Sequence, residues 1–184
     1  MKSSYKKNNY ANVFRVLCFC IEPKKIVEFG ILEAYSLKSF IESCPEKTKI
    51  EAHDIFEEFP YNSANFDKIT QRFSMHPNVS IHRSNFFGAE KKFEDGEIDI
   101  LHIDIANNGD VFEYAFQNYM PKLSKGGVCV LEGGSLERDE VEWMNKFKKP
   151  KIQPIIEKYK NDYEIKVLKD YPSITMVRHS GGER

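Results

Sequence analysis

The sequence predicts an α/β fold with a mostly parallel, seven-stranded sheet and an antiparallel C-terminal strand. Short apolar runs alternate with longer amphipathic stretches along the 184 residues, which is the pattern of β-α-β units. The last two apolar runs, Tyr163–Leu168 and Ser173–Arg178, are joined only by Lys169–Pro172. Because so short a connection cannot carry a parallel crossover, this last pair of strands must be antiparallel.

The first half of the chain predicts strands that alternate with helices. A helix over Asn12–Phe19 is stopped by Pro23, and the apolar strand Lys25–Phe29 ends at Gly30. The stretch Ser36–Cys44 has apolar residues at positions 37, 40 and 41, which is helical spacing, and its first serine is a suitable N-cap. The elements that follow are a strand over Lys49–His53, a helix over Phe66–Phe73 and a strand over Val79–His82.

The second half predicts two further parallel strands before the antiparallel pair. The strand over Glu97–Ile103 ends at Asp104, and a helix over Val111–Met120 is closed by Pro121 and two glycines. The fifth strand covers Val128–Leu131. Helices over Arg138–Lys148 and Pro154–Lys160 then lead to the C-terminal pair.

Length and composition predict one domain over residues 1–184, with residues 1–22 as an N-terminal helical extension. Hydrophobic residues make up 41% and charged residues 30%, which is a globular composition. The net charge of −1 predicts neither a nucleic-acid partner nor a membrane partner. The apolar run 11–21 contains Arg15 and is too short to span a bilayer. We therefore expect a cytoplasmic protein whose four cysteines are reduced thiols.

Candidate ligand contacts follow the first strand, because ligands of open α/β sheets bind beyond the carboxyl ends of the strands. Gly30 permits a tight turn there, Ala34 is small enough for a close backbone approach, and Ser36 opens a helix whose free N–H groups face the ligand. A G-x-G-x-x-G motif is absent, which disfavours a dinucleotide. The alternative interpretation is an ordinary strand-to-helix turn.

The residues after the second and third strands suit a nucleoside. Asp54 can accept hydrogen bonds from both ribose hydroxyls, and Ile55 and Phe56 can form an apolar wall for adenine. The amide of Asn85 can recognise the adenine edge, and we include the neighbouring Phe86 among the cofactor contacts. A turn or cap aspartate and a loop asparagine remain the alternatives.

Two carboxylates follow the fourth and fifth strands. Asp104 can serve as a general base, a metal ligand or an anchor for a substrate amine. Glu132 lies beside it if the two strands are neighbours, and the carboxylates then repel each other unless a cation or a proton intervenes. A divalent metal such as Mg²⁺ is compatible with this pair but is not favoured. We expect His102 to be a core histidine. The spacing of the other histidines indicates no metal site: His53, His76, His82 and His179.

With these positions placed, the chain resembles the class I S-adenosylmethionine (SAM) dependent methyltransferases, and among them the small O-methyltransferase-like proteins. The segment from Val27-Glu28-Phe29-Gly30 to Ala34 and Ser36 is similar to their V-E-x-G-x-x-x-G-x-S motif. Ile98–Asp104 matches their I-D-x-x-x-I-D motif. Tyr119–Leu131 is similar to the segment that precedes and enters the fifth strand in these proteins. The resemblance implies a Rossmann-like methyltransferase fold with SAM as cofactor.

The resemblance also implies roles for individual residues. Glu28 would orient the methionine end of SAM, Asp54 would bind the ribose and Asn85 would lie near the adenine amine. Asp104 takes the acidic position that is catalytic or metal-binding in the family. The chain departs from the family where Ala34 replaces the second glycine and where Glu132-Gly133 replaces the Asp-Asn of metal-dependent members.

The resulting hypothesis is methyl transfer from SAM to a small-molecule acceptor through an oxygen nucleophile. Asp104 would deprotonate or orient the acceptor, and Glu132 would assist. Little sequence is left for a substrate lid, which predicts a compact acceptor or an acceptor site shared between subunits of a homo-oligomer. The alternatives are a SAM-binding or structural module without activity, and an enzyme that uses a nicotinamide or a nucleotide sugar.

Overall fold

A seven-stranded sheet forms the centre of the computed structural model, which describes residues 3–59 and 62–181. The strands are β1 (Lys25–Phe29), β2 (Lys49–Asp54), β3 (Val79–Arg83), β4 (Ile98–Ile103), β5 (Leu123–Glu132), β6 (Tyr163–Leu168) and β7 (Ile174–His179). They lie in the order β3-β2-β1-β4-β5-β7-β6. Strands β1 to β5 pair in parallel, whereas β7 is antiparallel to both of its neighbours. The predicted fold class is confirmed.

Strand order reverses between β1 and β4, because the chain runs outward from β1 through β2 to β3 and then returns to the other side of β1. In open α/β sheets such a reversal opens a crevice at the carboxyl ends of the strands. Gly30 follows β1 and Asp104 follows β4, so both residues lie at this crevice.

Helices cover both faces of the sheet. They are α1 (Tyr10–Ile21), α2 (Tyr35–Ser43), α3 (Phe66–Phe73), α4 (Gly109–Tyr114), α5 (Leu136–Asp139), α6 (Glu142–Lys146) and α7 (Gln153–Tyr159). One core lies between the sheet and α1 to α3, and a second lies between the sheet and α4 and α7. Successive strand residues alternate between these cores, as Ile26 and Val27 do. Burial on both faces explains why the central strands β1 and β4 are mostly apolar.

Two predicted helices are shorter or broken in the structure. The helix predicted over Val111–Met120 is α4, followed by a π-helical turn at Ala115–Tyr119 and a 3-10 turn at Met120–Lys122. The helix predicted over Arg138–Lys148 is interrupted between α5 and α6, because Val141 has an extended backbone. The carboxylate of Asp139, at the end of α5, accepts hydrogen bonds from the backbone N–H groups of residues 152 and 153 at 2.8 and 2.9 Å.

The N-terminal segment packs into the fold. Tyr5 lies in a 3-10 turn at Ser4–Lys6 and is 1% exposed, and Tyr10 and Phe14 of α1 are also buried. Their rings join the core on the α1 face of the sheet. The four cysteines are free thiols, as predicted. Among the described residues, no helix combines the length and the apolar character needed to cross a membrane.

Candidate functional site

A cavity of about 880 Å³ opens at the carboxyl ends of the strands. Residues at or just after the ends of the first five strands line it, and they include most of the predicted site: Gly30, Asp54, Ile55, Asn85, Phe86, Asp104 and Glu132. A volume of this size lies within the range of cofactor and substrate pockets, about 300 to 1,000 Å³. Glu28, Ala34 and Ser36 do not line this cavity. Ser36 borders a small neighbouring cavity together with Gly30 and Asp104.

Gly30 makes the tight turn that the sequence predicts after β1. Its φ angle is +91°, and a Cβ at this position would lie 1.9 Å from the backbone oxygen of Asp104. The N–H of Gly30 donates to the carbonyl of His53 at 2.9 Å. The backbones at the ends of β1 and β4 therefore approach so closely that only glycine is accommodated.

The predicted N-cap at Ser36 is wrong. Helix α2 begins at Tyr35, its N-cap is Ala34 with φ +61°, and Ser36 lies within the first turn. The hydroxyl of Ser36 donates to Oε1 of Glu28, which is completely buried. The serine side chain therefore serves the interior carboxylate and not the free N–H groups of the helix.

Glu28 belongs to a buried chain of hydrogen bonds. Its Oε1 lies 2.9 Å from Nδ1 of His102, and the hydroxyl of Tyr5 lies 3.1 Å from Nε2 of the same ring. The ring of His102 therefore links Glu28 to Tyr5, and its tautomer decides which group donates at each ring nitrogen. Oε2 of Glu28 has no hydrogen-bond partner among the described residues. His102 is thus the core histidine that the sequence predicts, and it is a link in a polar network.

The carboxylate of Asp54 joins the loops that follow β1 and β2. Oδ2 accepts from the N–H groups of Ile31 and Leu32 at 2.7 and 3.3 Å. Oδ1 accepts from the N–H of Phe56 and from the side-chain amide of Asn62, both at 2.7 Å. Four donors fill the lone-pair sites of a carboxylate. A ribose hydroxyl would therefore have to share or replace one of them, and the Asn62 amide is the side-chain donor.

The apolar and amide contacts predicted for adenine are only partly exposed to the cavity. Ile55 lines it, whereas Phe56 is completely buried in the core, so the predicted wall consists of one of the two residues. Asn85 lines the cavity while its Oδ1 accepts from the N–H of Phe87 at 3.0 Å, which is a local turn. Phe86 is 3% exposed and stacks on Tyr119 with a centroid distance of 4.8 Å.

Asp104 and Glu132 face the same cavity, as expected if β4 and β5 are neighbours. Burial and the negative charge of Glu132 raise the pKa of Asp104 to about 7. Arg138 binds Glu132 through two hydrogen bonds, from Nε to Oε1 and from Nη2 to Oε2. The repulsion that the sequence predicts is thus relieved by a cation, Arg138, and the raised pKa of Asp104 makes its carboxylate easier to protonate.

Sequence reasoning missed Arg138, Trp143 and Tyr5 as parts of the site. Arg138 was assigned to a long helix, yet it is 4% exposed and its guanidinium lies 5.1 Å from the ring centroid of Trp143. Trp143 and Phe147 both line the cavity, with Lys149 and Tyr171 nearby. The break between α5 and α6 places Trp143 beside Arg138 at the cavity, and no periodicity in the sequence indicates it.

The chain matches a protein family and is similar in fold to several solved structures. A family model described as a methyltransferase domain matches residues 5–132. No curated protein matches the chain. Several solved structures share the fold. The SAM complex of the O-methyltransferase TomG from Streptomyces achromogenes superposes with a TM-score of 0.70 and 14% identity, over 97% of this chain and 86% of that chain.

Two further structures are similarly close. The SAH-bound methyltransferase PaMTH1 from Podospora anserina has a TM-score of 0.67 and 14% identity, over 98% of this chain and 80% of that chain. A SAM-dependent O-methyltransferase from Thermotoga maritima has a TM-score of 0.67 and 12% identity, over 100% of this chain and 69% of that chain. At these identities the solved structures establish the fold.

Proposed function

This chain belongs to the methyltransferase domain family, and we propose that it transfers the methyl group of SAM to an oxygen nucleophile of a small molecule. The observation that carries the proposal is the position of Asp104, which shares one cavity with Gly30 and Asp54. The pKa of Asp104 is about 7. A general base is most effective when its pKa is near the pH at which it works.

We assign the nucleoside of SAM to the side of the cavity formed after β1, β2 and β3. Asp54 would accept hydrogen bonds from the ribose hydroxyls, with the amide of Asn62 displaced from Oδ1. Ile55 and Phe86 would pack against the adenine, and Asn85 would face its polar edge. Asp54 supports this assignment because the residue lines the cavity while its carboxylate accepts hydrogen bonds from the two adjacent loops.

The methionine end of SAM would lie at the loop between β1 and α2. Gly30 and Ala34 keep the backbone of this loop close, and Ser36 orients Glu28. Glu28 is completely buried and lies outside the cavity lining, so it would act on the methionine end through the loop or through a bound water at its unpartnered Oε2. When bound, SAM supplies a methyl group on a sulfonium, which is a good leaving group.

Asp104 would accept the proton of the acceptor hydroxyl, or orient that hydroxyl. Glu132 would assist through its negative charge, which raises the pKa of Asp104 and makes it a stronger base. Trp143, Phe147 and Tyr171 line the cavity and offer apolar contact surface for a compact acceptor. We propose a reaction without a metal at these carboxylates, because Arg138 already binds both oxygens of Glu132.

The proposal is tested first by calorimetric titration of the full chain with SAM. Asp54→Ala should weaken binding at least tenfold, whereas the exposed control Asp162→Ala should bind like the parent protein. Transfer of a labelled methyl group from SAM is then measured against small-molecule fractions of a cell extract. Asp104→Asn should remove transfer while SAM affinity is kept. Tight SAM binding without transfer to any fraction would instead favour a binding module, and no SAM binding would overturn the site.

A further inference from the structure

Three potential metal ligands meet on β2 and β3, and one of them, His53, also lines the large cavity. Glu51 and His53 are two residues apart on β2, so their side chains project from the same face. His82 is the register partner of His53 on β3. One ligand atom from each of the three residues lies within 4.8 Å of the others. The histidines are far apart in the sequence, and strand pairing alone brings them together.

The imidazole of His53 is a buried polar group with no hydrogen bond. The residue is 2% exposed, and neither Nδ1 nor Nε2 has a partner among the described residues. Its ring is stacked between Phe29 and His82, with centroid distances of 4.9 and 4.8 Å. An unsatisfied polar group of this kind costs about 1 to 3 kcal/mol, so it calls for a bound partner.

The distances around His53 suit a shared ion better than a direct bond. Nε2 of His53 lies 3.8 Å from Oε2 of Glu51, which is too long for a hydrogen bond. Two ligands of a tetrahedral ion with bonds of about 2.1 Å are themselves about 3.4 Å apart. Lys25 lies 2.9 Å from the other oxygen of Glu51, Oε1, which leaves Oε2 available.

We propose that Glu51, His53 and His82 bind a divalent cation of the zinc class, with two nitrogen ligands, one oxygen ligand and an open position for water. This His₂Glu donor set is one that Zn²⁺ adopts in proteins. The proposal does not require the methyl-transfer reaction, although His53 also lines the cavity that we assign to SAM. Nε2 of His82 lies 3.0 Å from the hydroxyl of Ser80, a contact that the ion would replace if it bound at that nitrogen.

The surroundings allow the ion to enter. Glu51 has a side-chain exposure of 27%, and His82 is half-buried on β3, the edge strand of the sheet. The rings of His53 and His82 are inclined by only 20°, and an ion lies in the plane of each ring that binds it. Binding therefore requires the His82 ring to turn while His53 stays in place. The nearby charged groups are Lys25, Lys92 and Glu97. Lys25 is already paired with Glu51 and with Glu97.

The test is titration of the metal-free full chain with Co²⁺, followed by visible absorption, and with Zn²⁺, followed by equilibrium dialysis. We expect one ion per chain and a tetrahedral cobalt spectrum. His53→Phe keeps the stacked ring and removes both nitrogens, and His82→Ala and Glu51→Gln remove the other ligands. Each variant should bind at least tenfold more weakly, whereas the control His76→Ala, an exposed histidine outside the cluster, should bind like the parent.

Three results would overturn the proposal. The first is no saturable binding at protein concentrations of tens of micromolar. The second is unchanged binding by His53→Phe or His82→Ala. The third is a cobalt spectrum dominated by near-ultraviolet thiolate bands, which would place the ion on the cysteines. Circular dichroism of each variant establishes that it is folded before its affinity is compared.

Discussion

Arg138 binds both carboxylate oxygens of Glu132, with Nε to Oε1 at 2.7 Å and Nη2 to Oε2 at 2.9 Å. The pair is nearly fully buried and shares its cavity with Asp104. The negative charge of Glu132 helps to raise the pKa of Asp104. The positive guanidinium of Arg138, which binds Glu132, limits this increase. The ion pair therefore sets how readily the proposed base ionises.

Replacing Arg138 should move the pH dependence of activity. Arg138→Met leaves the charge of Glu132 uncompensated, so the pKa of Asp104 should rise further and the acid limb of kcat/KM should shift to higher pH. Loss of one partner of a buried ion pair should also lower the free energy of unfolding by about 3 to 5 kcal/mol. Arg138→Lys, which keeps the charge but not the two-point contact, should shift the limb less. An acid limb that stays in place in Arg138→Met would contradict the coupling.

Asp104 should make the folded protein less stable as the pH rises. The folded-state pKa of Asp104, about 7, lies above the ordinary value. Between about pH 4 and pH 7 the folded state therefore keeps a proton on Asp104 that the unfolded state has already lost. The free energy of unfolding should fall across this range, by up to about 4 kcal/mol from this group, and level off above it. Asp104→Asn should remove that fall, and urea denaturation at pH 4.5 and pH 8 measures it. The exposed Asp162→Asn is the control, and identical pH slopes for Asp104→Asn and the parent would refute the shift.

Gly30 should be far more sensitive to substitution than Gly88. Both have a φ of +91°, but a Cβ at Gly30 would lie 1.9 Å from the Asp104 backbone oxygen, whereas one at Gly88 meets nothing within 4 Å. Gly88→Ala should therefore cost only the backbone strain, about 1 to 3 kcal/mol. Gly30→Ala should cost clearly more and should weaken SAM binding, as measured by denaturation and calorimetry. Equal losses for the two variants would mean that the close approach of β1 and β4 is unimportant.

Removing the hydroxyl of Tyr5 should disturb the buried chain to Glu28. Tyr5→Phe leaves Nε2 of His102 without its 3.1 Å partner in a fully buried position, and should cost about 1 to 3 kcal/mol of stability. Nitrogen-detected NMR of His102 should report a changed tautomer balance. Tyr35→Phe serves as the control, because the hydroxyl of the half-buried Tyr35 makes no hydrogen bond to the described residues. An unaltered His102 signal would show that the tyrosine does not set the tautomer.

His53→Phe should be neutral or stabilising when metal is removed by a chelator. The substitution keeps the stack with Phe29 and eliminates two buried nitrogens without partners, for a gain of up to about 1 to 2 kcal/mol. Added Zn²⁺ should raise the melting temperature of the parent and not that of the variant, since a ligand stabilises only the folded state that binds it. A large loss of stability in the metal-free variant would indicate that the imidazole has a partner in the fold.

Much of the fold could be predicted from local pattern. The strands Lys25–Phe29 and Tyr163–Leu168 and the helix Phe66–Phe73 have the predicted bounds, because apolar runs and their flanking residues determine them. Asp104 and Glu132 were expected at the ligand edge of the sheet because ligand contacts follow parallel strands. Their proximity was expected only if the fourth and fifth strands are neighbours, and the pairing of β4 with β5 meets that condition.

The rest depends on tertiary contacts. Ser36 looked like an N-cap because serine is common there, but α2 already begins at Tyr35, and the hydroxyl of Ser36 donates to the buried Glu28. The helix predicted across Arg138 breaks near Asp139, whose carboxylate accepts from the backbone of residues 152 and 153. Likewise, the meeting of His53 and His82 depends on the register between two strands, which no spacing within one segment encodes.

The burial of Tyr5 has a practical consequence for protein production. Ser4 lines the large cavity, and the adjacent Tyr5 belongs to the buried chain of hydrogen bonds that includes His102 and Glu28. Trimming the first nine residues to obtain a tidier recombinant product would remove part of the pocket wall and a ring from the core. A purification handle is therefore better appended after the final strand, and activity assays on N-terminally shortened versions would underestimate the enzyme.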